Sequence, residues 1–210
     1  MAARRDAGDV NSVQQSTSVP TTVTGTASPG WWGMVVLIAT EATLFGTLLA
    51  SYFYVRFKSG PEWPPDGLED PSLGLPLVMT ALLLTSSIPM HLAGTGIERG
   101  RQSQLRWGLA AAFVLGAVFL GLQVFEYAEM VNELRPSTNA YGSFFYTITG
   151  FHGVHVAVGL AMNAWTQARA WAGHFDEERH VTVQNTVMYW HFVDVVWMFV
   201  LASLYIAPRL

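Results

Sequence analysis

The sequence contains no cysteine and few charged residues. Only 12% of its 210 residues are Asp, Glu, Lys or Arg, whereas soluble domains average about 25%. The absence of cysteine excludes disulfides, zinc–thiolate sites, iron–sulfur clusters and thiolate-bridged copper centres in this chain. The formal net charge of -4 leaves no basic patch, so nucleic acid is not expected as a partner.

Long apolar runs dominate the rest of the sequence. Hydrophobic residues make up 51% of the chain and aromatic residues 13%, a composition typical of a polytopic membrane protein. A helix needs about 20 residues to cross the hydrocarbon core of a bilayer. Runs of that length lie at residues 31–55, 75–97, 105–128, 144–168 and 184–206. The sequence therefore predicts an all-α fold, a polytopic membrane bundle of five transmembrane helices within residues 31–210.

The first 30 residues differ in composition from the remainder of the chain. They are rich in Ser, Thr, Val and Gly and show no apolar periodicity, which predicts a disordered tail at residues 1–30. Arg4 and Arg5 lie near its start, but no short apolar core follows them. We therefore interpret the first apolar run as a retained membrane anchor and not as a signal peptide.

Basic residues are unevenly distributed between the segments that connect the runs. If the tail is cytoplasmic, seven of the 11 lie inside and four outside. The inner set is Arg4, Arg5, Arg99, Arg101, Arg106, Arg169 and Arg179, and the outer set is Arg56, Lys58, Arg135 and Arg209. The positive-inside rule then predicts a cytoplasmic N-terminus and a C-terminus on the outside.

Small residues recur at four-residue spacing within three of the runs. The sets are Gly46/Ala50, Gly108/Ala112/Gly116 and Gly153/Ala157/Ala161. Small side chains at this spacing allow two helix backbones to approach closely in lipid. We expect these positions to lie at helix–helix contacts.

Several ionisable or amide side chains lie inside the apolar runs, where such groups are rare and usually functional, and eight of them are candidates for a role. They are Glu41, His91, Gln123, Glu126, His152, His155, His191 and Asp194. Counting about 1.5 Å per residue along a helix puts Glu41, His155 and Asp194 near the membrane midplane. Because an unpaired carboxylate is costly there, we expect Glu41 to pair with His155 across the first and fourth helices.

Two helix faces suggest a metal centre as an alternative to simple pairing. His152 and His155 lie three residues apart, as do His191 and Asp194, so each pair shares a helix face. Such faces could hold iron, zinc or manganese, or they could hydrogen-bond to neighbouring helices. No predicted helix carries the Glu-x-x-His repeat of di-iron bundles, and with 6 histidines, two of them in a loop, the chain cannot form a dinuclear oxygen site alone.

Four stretches resemble the subunit III family of haem–copper oxidases, and most closely its cytochrome c oxidase branch. They are TEATLFGTLLASYFY at 40–54, AVFLGLQVFEY at 117–127, GSFFYTITGFHGVHVAVG at 142–159 and YWHFVDVVW at 189–197. The resemblance extends from about Trp31 to the C-terminus.

The resemblance implies a subunit without haem or copper that packs against oxidase subunit I in a bacterial cell membrane. Subunit II and other respiratory-complex subunits are further expected partners, and the haems and copper belong to partner chains. The complex would reduce oxygen and translocate protons. This chain would bind phospholipid, support proton uptake into subunit I and protect the enzyme from inactivation during turnover.

The resemblance also assigns roles to particular residues. It implies an intramembrane polar network of Glu41, Gln123, Glu126, His152, His155, His191 and Asp194, and it leaves His91, Trp190 and Trp197 as lipid or packing contacts. Catalytic, cofactor-binding and metal-binding residues are not expected in this chain.

The predicted number of helices departs from that of many family members, which have seven. Five are predicted here, as in several bacterial forms and in quinol oxidases. The missing N-terminal pair lines one side of the family's lipid cleft, so a full cleft would require another subunit. Subunit III of a quinol oxidase is the main alternative, followed by an accessory protein of nitric oxide reductase and a membrane metalloenzyme.

Overall fold

A computed structural model describes residues 28–60, 63, 73–131, 134, 136–137 and 139–209. Within them the chain forms α1 (Pro29–Ser59), α2 (Gly74–Glu98), α3 (Gln102–Met130), α4 (Ala140–Trp171) and α5 (Val181–Leu201). After α5 come a π-helical turn at Ala202–Ile206 and a 3₁₀ turn at Ala207–Arg209. The predicted all-α fold with five long helices is confirmed. The tail predicted at residues 1–30 lies outside the described residues as far as residue 27.

The starts of α1 and α4 are set by capping residues that lie beyond the apolar runs. The Ser28 side chain accepts a hydrogen bond from the backbone N–H of Trp31 at 3.2 Å, and Pro29 occupies the first turn of α1. Asn139 caps α4 in the same way, through the N–H of Gly142 at 2.8 Å. Each helix therefore begins before its predicted span, because polar caps do not contribute to the apolar pattern.

The helix α5 lies at the centre of the bundle. Helices α2 and α3 pack closely as a hairpin, and the contacts α3–α4, α4–α5 and α5–α2 complete a four-helix arrangement. The helix α1 packs outside it, against α4 and α5. In an 18-residue apolar stretch of the α5 segment 56% of the residues are buried, against 6% in the corresponding stretch of α1. Most of α1 is thus available to lipid or to another chain.

Glycines determine how closely several of these helices approach. A Cβ added to Gly108 of α3 would lie 2.6 Å from the carbonyl oxygen of Pro89 in α2, so this backbone contact requires glycine. Gly116 and Gly153 are also buried at helix contacts. The predicted packing role is confirmed at these three positions. It is wrong for Gly46 within this chain, because a Cβ there would meet nothing within 4 Å.

The outer surface of the bundle is apolar. On α3 and α4, for example, Val114, Phe125 and Val154 are 59%, 53% and 60% exposed. All five helices are long and apolar enough to cross a membrane. Exposed apolar surface on this scale is not tolerated in water. The chain is therefore a multi-pass membrane protein.

The two ends of the bundle differ in their number of basic residues. Arg106 at the start of α3 donates to the carbonyl of Ala170 at the end of α4, at 3.1 Å. This contact places the α2–α3 turn and the α4–α5 loop at one end. In that loop Arg179 hydrogen-bonds to Asp176 at 2.8 and 2.6 Å, which lowers the pKa of the aspartate. This end carries Arg99, Arg101, Arg106, Arg169 and Arg179, whereas the described residues of the opposite end include Arg56, Lys58 and Arg209.

Candidate functional site

Glu41 of α1 and His155 of α4 are in direct contact, as their matched depths predict. The Nε2 atom of His155 lies 3.1 Å from Oε2 of Glu41. The Nδ1 atom of the same ring lies 2.6 Å from the carbonyl oxygen of Phe151, to which it donates. Both ring nitrogens therefore face oxygen atoms, and the contact with Glu41 needs one proton between Nε2 and the carboxyl group. The pair is a proton-holding contact inside the membrane.

This pair lies in an open groove between α1 and α4. The side chains of His155 and Glu41 remain 12% and 29% exposed. The groove has a volume of ≈ 390 Å³, and its other lining residues are Leu37, Leu44, Phe151, Val154, Val158, Met162 and Tyr189. The ionisable pair of Glu41 and His155 thus lies in a predominantly apolar groove on the surface of the bundle.

Glu126 is held near the C-terminal end of α3 by a tyrosine. The hydroxyl group of Tyr205 in the π-helical turn lies 3.1 and 3.2 Å from the two carboxylate oxygens of Glu126. Glu126 is 6% exposed and Tyr205 is fully buried. The contact connects α3 to the chain segment that follows α5.

Gln123 makes a separate contact one turn before Glu126. Its Nε2 atom donates to the carbonyl of Thr149 in α4 at 2.6 Å. The hydroxyl groups of Tyr127 and Thr149 lie 2.5 Å apart beside it. Gly153 leaves the space for this amide, since an added Cβ would be 3.0 Å from its oxygen. These side chains fix α3 against α4.

His152 is fully buried and faces α5. Its Nε2 atom lies 3.2 Å from the carbonyl oxygen of Val193, and its ring packs between Phe119 and Trp197. His152 and His155 therefore have different partners although they share a helix. Among the described residues no three histidines or carboxylates lie close enough to hold a metal ion, so the metal-centre alternative has no ligand set there.

Asp194 and His191 of α5 lie against α2. The hydroxyl group of Ser87 donates to Oδ2 of Asp194. The Nδ1 atom of His191 is 3.4 Å from that hydroxyl oxygen and 3.6 Å from Asp194 Oδ2. The His91 ring of α2 lies 6.4 Å from the His191 ring, centre to centre. These side chains form a polar strip along the α2–α5 contact, which we call the α2/α5 strip: Ser87, His91, His191 and Asp194.

Trp190 and Trp197 pack in the interior. Both are fully buried, so packing, not lipid contact, is their role within this chain. The indole N–H of Trp190 donates to Ser86 and that of Trp197 to Thr80, each at 2.9 Å. Buried indole groups require such a partner. The two hydrogen bonds fix α5 along α2.

The hydroxyl partners of this network were not identified from the sequence. They are Thr80, Ser86, Ser87, Thr149 and Tyr205. Their only sequence signal is a hydroxyl group in an apolar run, and many other Ser and Thr residues share it. The predicted polar residues do not converge on one centre but form separate contacts, each of which joins two segments of the bundle.

Comparison with known proteins places the chain in a family. A sequence profile of the family described as cytochrome c oxidase subunit III matches residues 13–208. The chain is 36% identical over 180 residues to cytochrome c oxidase subunit 3 of Thermostichus vulcanus, covering 84% of this chain and 87% of that protein. It is 31% identical over 210 residues to the same subunit of Synechocystis, with 93% and 88% covered.

A fungal relative is longer than this chain. Cytochrome c oxidase subunit 3 of Neurospora crassa is 34% identical over 178 residues, which are 82% of this chain but 65% of that protein. The match with the family profile covers α1 to α5 and the turns that follow. The chain is therefore a member of the cytochrome c oxidase subunit III family.

Proposed function

We propose that this chain is the non-redox subunit III of a terminal respiratory oxidase. The haems and copper would be held by partner subunits, and the complex would couple oxygen reduction to proton translocation. The observation that carries the proposal, beside family membership, is that the buried polar groups pair singly across helices. Such contacts hold a bundle together and do not form a reaction centre. Cytochrome c is the proposed electron donor, because the relatives are named for it.

The expected role is support of oxidase subunit I. We propose that the chain packs directly against it, together with subunit II and other subunits of the complex. Its interior is well suited to a rigid support, since α5 is fixed to α2 through two indole hydrogen bonds. The Glu41–His155 pair holds a proton within the membrane and supports the proposed contribution to proton uptake by subunit I.

The α1–α4 groove supports the proposal that the chain binds phospholipid. Its walls are apolar along Leu37, Leu44, Val158 and Met162, which suits an acyl chain. One side of the groove is formed by α1 alone, and α1 is the least buried of the five helices. A neighbouring subunit would then cover the open side of the groove.

We propose a location in the bacterial plasma membrane with the N-terminus in the cytoplasm. The bundle end with five arginines would face the cytoplasm, and the end that includes Arg56 and Lys58 would face outward. A protease site added after Leu210 is then expected to be cleaved in sealed right-side-out vesicles and protected in inverted ones. Cleavage only in inverted vesicles would reverse the orientation.

The proposed function is tested by removing this chain from the assembled complex. Because the redox centres are assigned to other chains, the haem absorption spectrum is expected to persist while the enzyme loses activity faster during turnover. Loss of the haem spectrum upon clean removal would contradict the proposal.

A further inference from the structure

The α2/α5 strip lies on a face of the bundle that no described helix covers. His91 is exposed and the His191 side chain is 40% exposed. At about 1.5 Å per residue, they lie about 10 Å from the end of α2 and about 15 Å from the start of α5. Both positions are within the apolar runs. An open groove of ≈ 340 Å³ continues from His91 between the same two helices, and Trp31 of α1 also lines it.

Three polar groups of this strip have no hydrogen-bond partner among the described residues: the His91 ring, one ring nitrogen of His191 and one carboxylate oxygen of Asp194. His91 has only its ring contact with His191. The Nε2 atom of His191 has none, since the contacts of that ring are made through Nδ1. The Oδ1 atom of Asp194 is buried and also unpartnered, in a side chain that is 6% exposed. Hydrocarbon cannot supply the missing hydrogen bonds.

Other exposed faces of the membrane-spanning helices differ from this one. On α3 the exposed positions include Val114, Val118 and Phe125, which suit lipid. The exposed hydroxyl groups of α1, such as Thr43 and Thr47, bond to carbonyls of their own helix. Only the α2/α5 strip, within the described residues, combines exposed imidazoles with a buried unpartnered carboxylate oxygen. It therefore calls for a protein neighbour.

The geometry of His191 indicates which chemical group that neighbour presents. A proton on Nδ1 faces the oxygens of Ser87 and Asp194, whereas a lone pair there would face the electron pairs of the carboxylate. The Nδ1–H tautomer is thus favoured, and Nε2 is left as an acceptor. A partner hydroxyl, amide or indole N–H would complete this site.

We propose that the α2/α5 strip is the docking surface for a transmembrane helix of another oxidase subunit, which donates a hydrogen bond to His191 and forms a second hydrogen bond with the ring of His91. This inference rests on the proposed function, because it requires a complex. It adds the face through which the chain is held: the strip faces the partner subunit, and the apolar face of α3 faces lipid.

The test uses a photo-reactive amino acid in the purified complex. The residue p-benzoylphenylalanine replaces His91 or His191 in one set of variants. It replaces Ala111 or Val114 in the control set, since both are exposed on α3 at comparable depth. After illumination, mass spectrometry identifies the crosslinked residue. The expected result is a crosslink from positions 91 and 191 to one transmembrane helix of a partner subunit, within a turn of a hydrogen-bond donor, and lipid adducts alone from 111 and 114.

Two other kinds of result are possible, and they distinguish failure of the docking surface from failure of the proposed function. Lipid adducts alone from positions 91 and 191, or crosslinks to a second copy of this chain, in a complex that still contains its partners would overturn the docking surface. Purification of the chain with no partner subunit would overturn the proposed function itself.

A second variant, His91→Leu, tests how strongly the α2/α5 strip binds its partner helix. His91→Leu removes an exposed group without an intramolecular hydrogen bond, so the isolated chain should unfold at an unchanged temperature. Retention of the chain in the complex under detergent titration should weaken about threefold, which corresponds to about 0.6 kcal/mol for one interhelical hydrogen bond. Unchanged retention would contradict the proposed contact.

Discussion

Replacing Gly116 by leucine is expected to prevent this chain from accumulating in its folded form. A Cβ at position 116 would lie 2.7 Å from Cζ2 of Trp190, and the leucine side chain would extend further into the same ring. The indole has little room to move, since Gly159 lies beside the same ring, where an added Cβ would be 3.1 Å from it, and Ser86 accepts its N–H at 2.9 Å. Overpacking of a core costs about 1–3 kcal/mol, occasionally more, and this fixed ring places the variant at the upper end.

The same helix provides the matched control. An added Cβ at Gly121 meets nothing within 4 Å, so Gly121→Leu should leave stability nearly unchanged. Thermal unfolding of both variants in mild detergent, followed by size-exclusion chromatography, measures the difference. If Gly116→Leu unfolded at the temperature of Gly121→Leu, Trp190 would not be clamped as described.

Replacing Trp190 by alanine should leave a cavity in the core, whereas Gly116→Leu overpacks it. The loss of this buried side chain should lower the free energy of unfolding by about 3–5 kcal/mol. Combined with Gly116→Leu, the leucine would occupy part of that space, so the double variant should be less destabilised than the sum of the single variants. Simple additivity would indicate that positions 116 and 190 do not compete for the same volume.

Glu41→Ala is expected to impair assembly or stability during turnover without abolishing oxygen reduction. It removes the partner of His155 Nε2 in a groove where the imidazole is 12% exposed. An unsatisfied buried polar group costs about 1–3 kcal/mol. Glu41→Gln keeps a neutral hydrogen bond and should lie between the alanine variant and the wild type. Thermal unfolding and the decay of oxygen consumption with time measure these effects.

An adjacent threonine serves as the control for Glu41. The hydroxyl of Thr40 is exposed and bonds to the carbonyl of Leu37 in its own helix at 2.7 Å, so Thr40→Ala should behave like the wild type. A complete loss of oxygen reduction by Glu41→Ala in a fully assembled complex would contradict a supporting role. It would place Glu41 in the reaction itself.

The Glu41–His155 contact shows what depth alone can predict. Both residues lie in apolar runs whose ends are visible in the sequence, and counting along each helix brought them to one level. The contact was predictable because α1 and α4 each offer one ionisable group there that the other lacks. The five spans were predictable for a similar reason, since length and composition decide whether a helix crosses a membrane.

The orientation of each helix about its own long axis was not predictable. Apolar residues occur on all sides of every membrane-spanning helix, so no polar face marks which side of α3 or α4 is buried. The partners of Asp194 and Glu126, which are Ser87 and Tyr205, depend on that rotation. The divergence of His152 from His155 has the same origin: three residues separate them, yet one side chain faces α5 and the other α1.

Removing this chain from the assembled enzyme will show whether it supports an oxidase whose redox centres lie in other subunits. The complex is stripped of the chain in detergent, and its haem absorption spectrum and oxygen consumption over repeated turnovers are compared with those of the intact enzyme. We expect an unchanged haem spectrum together with slower proton-coupled turnover or a shortened catalytic lifetime. A loss of the haem spectrum on clean removal would overturn the assignment of the redox centres to other subunits.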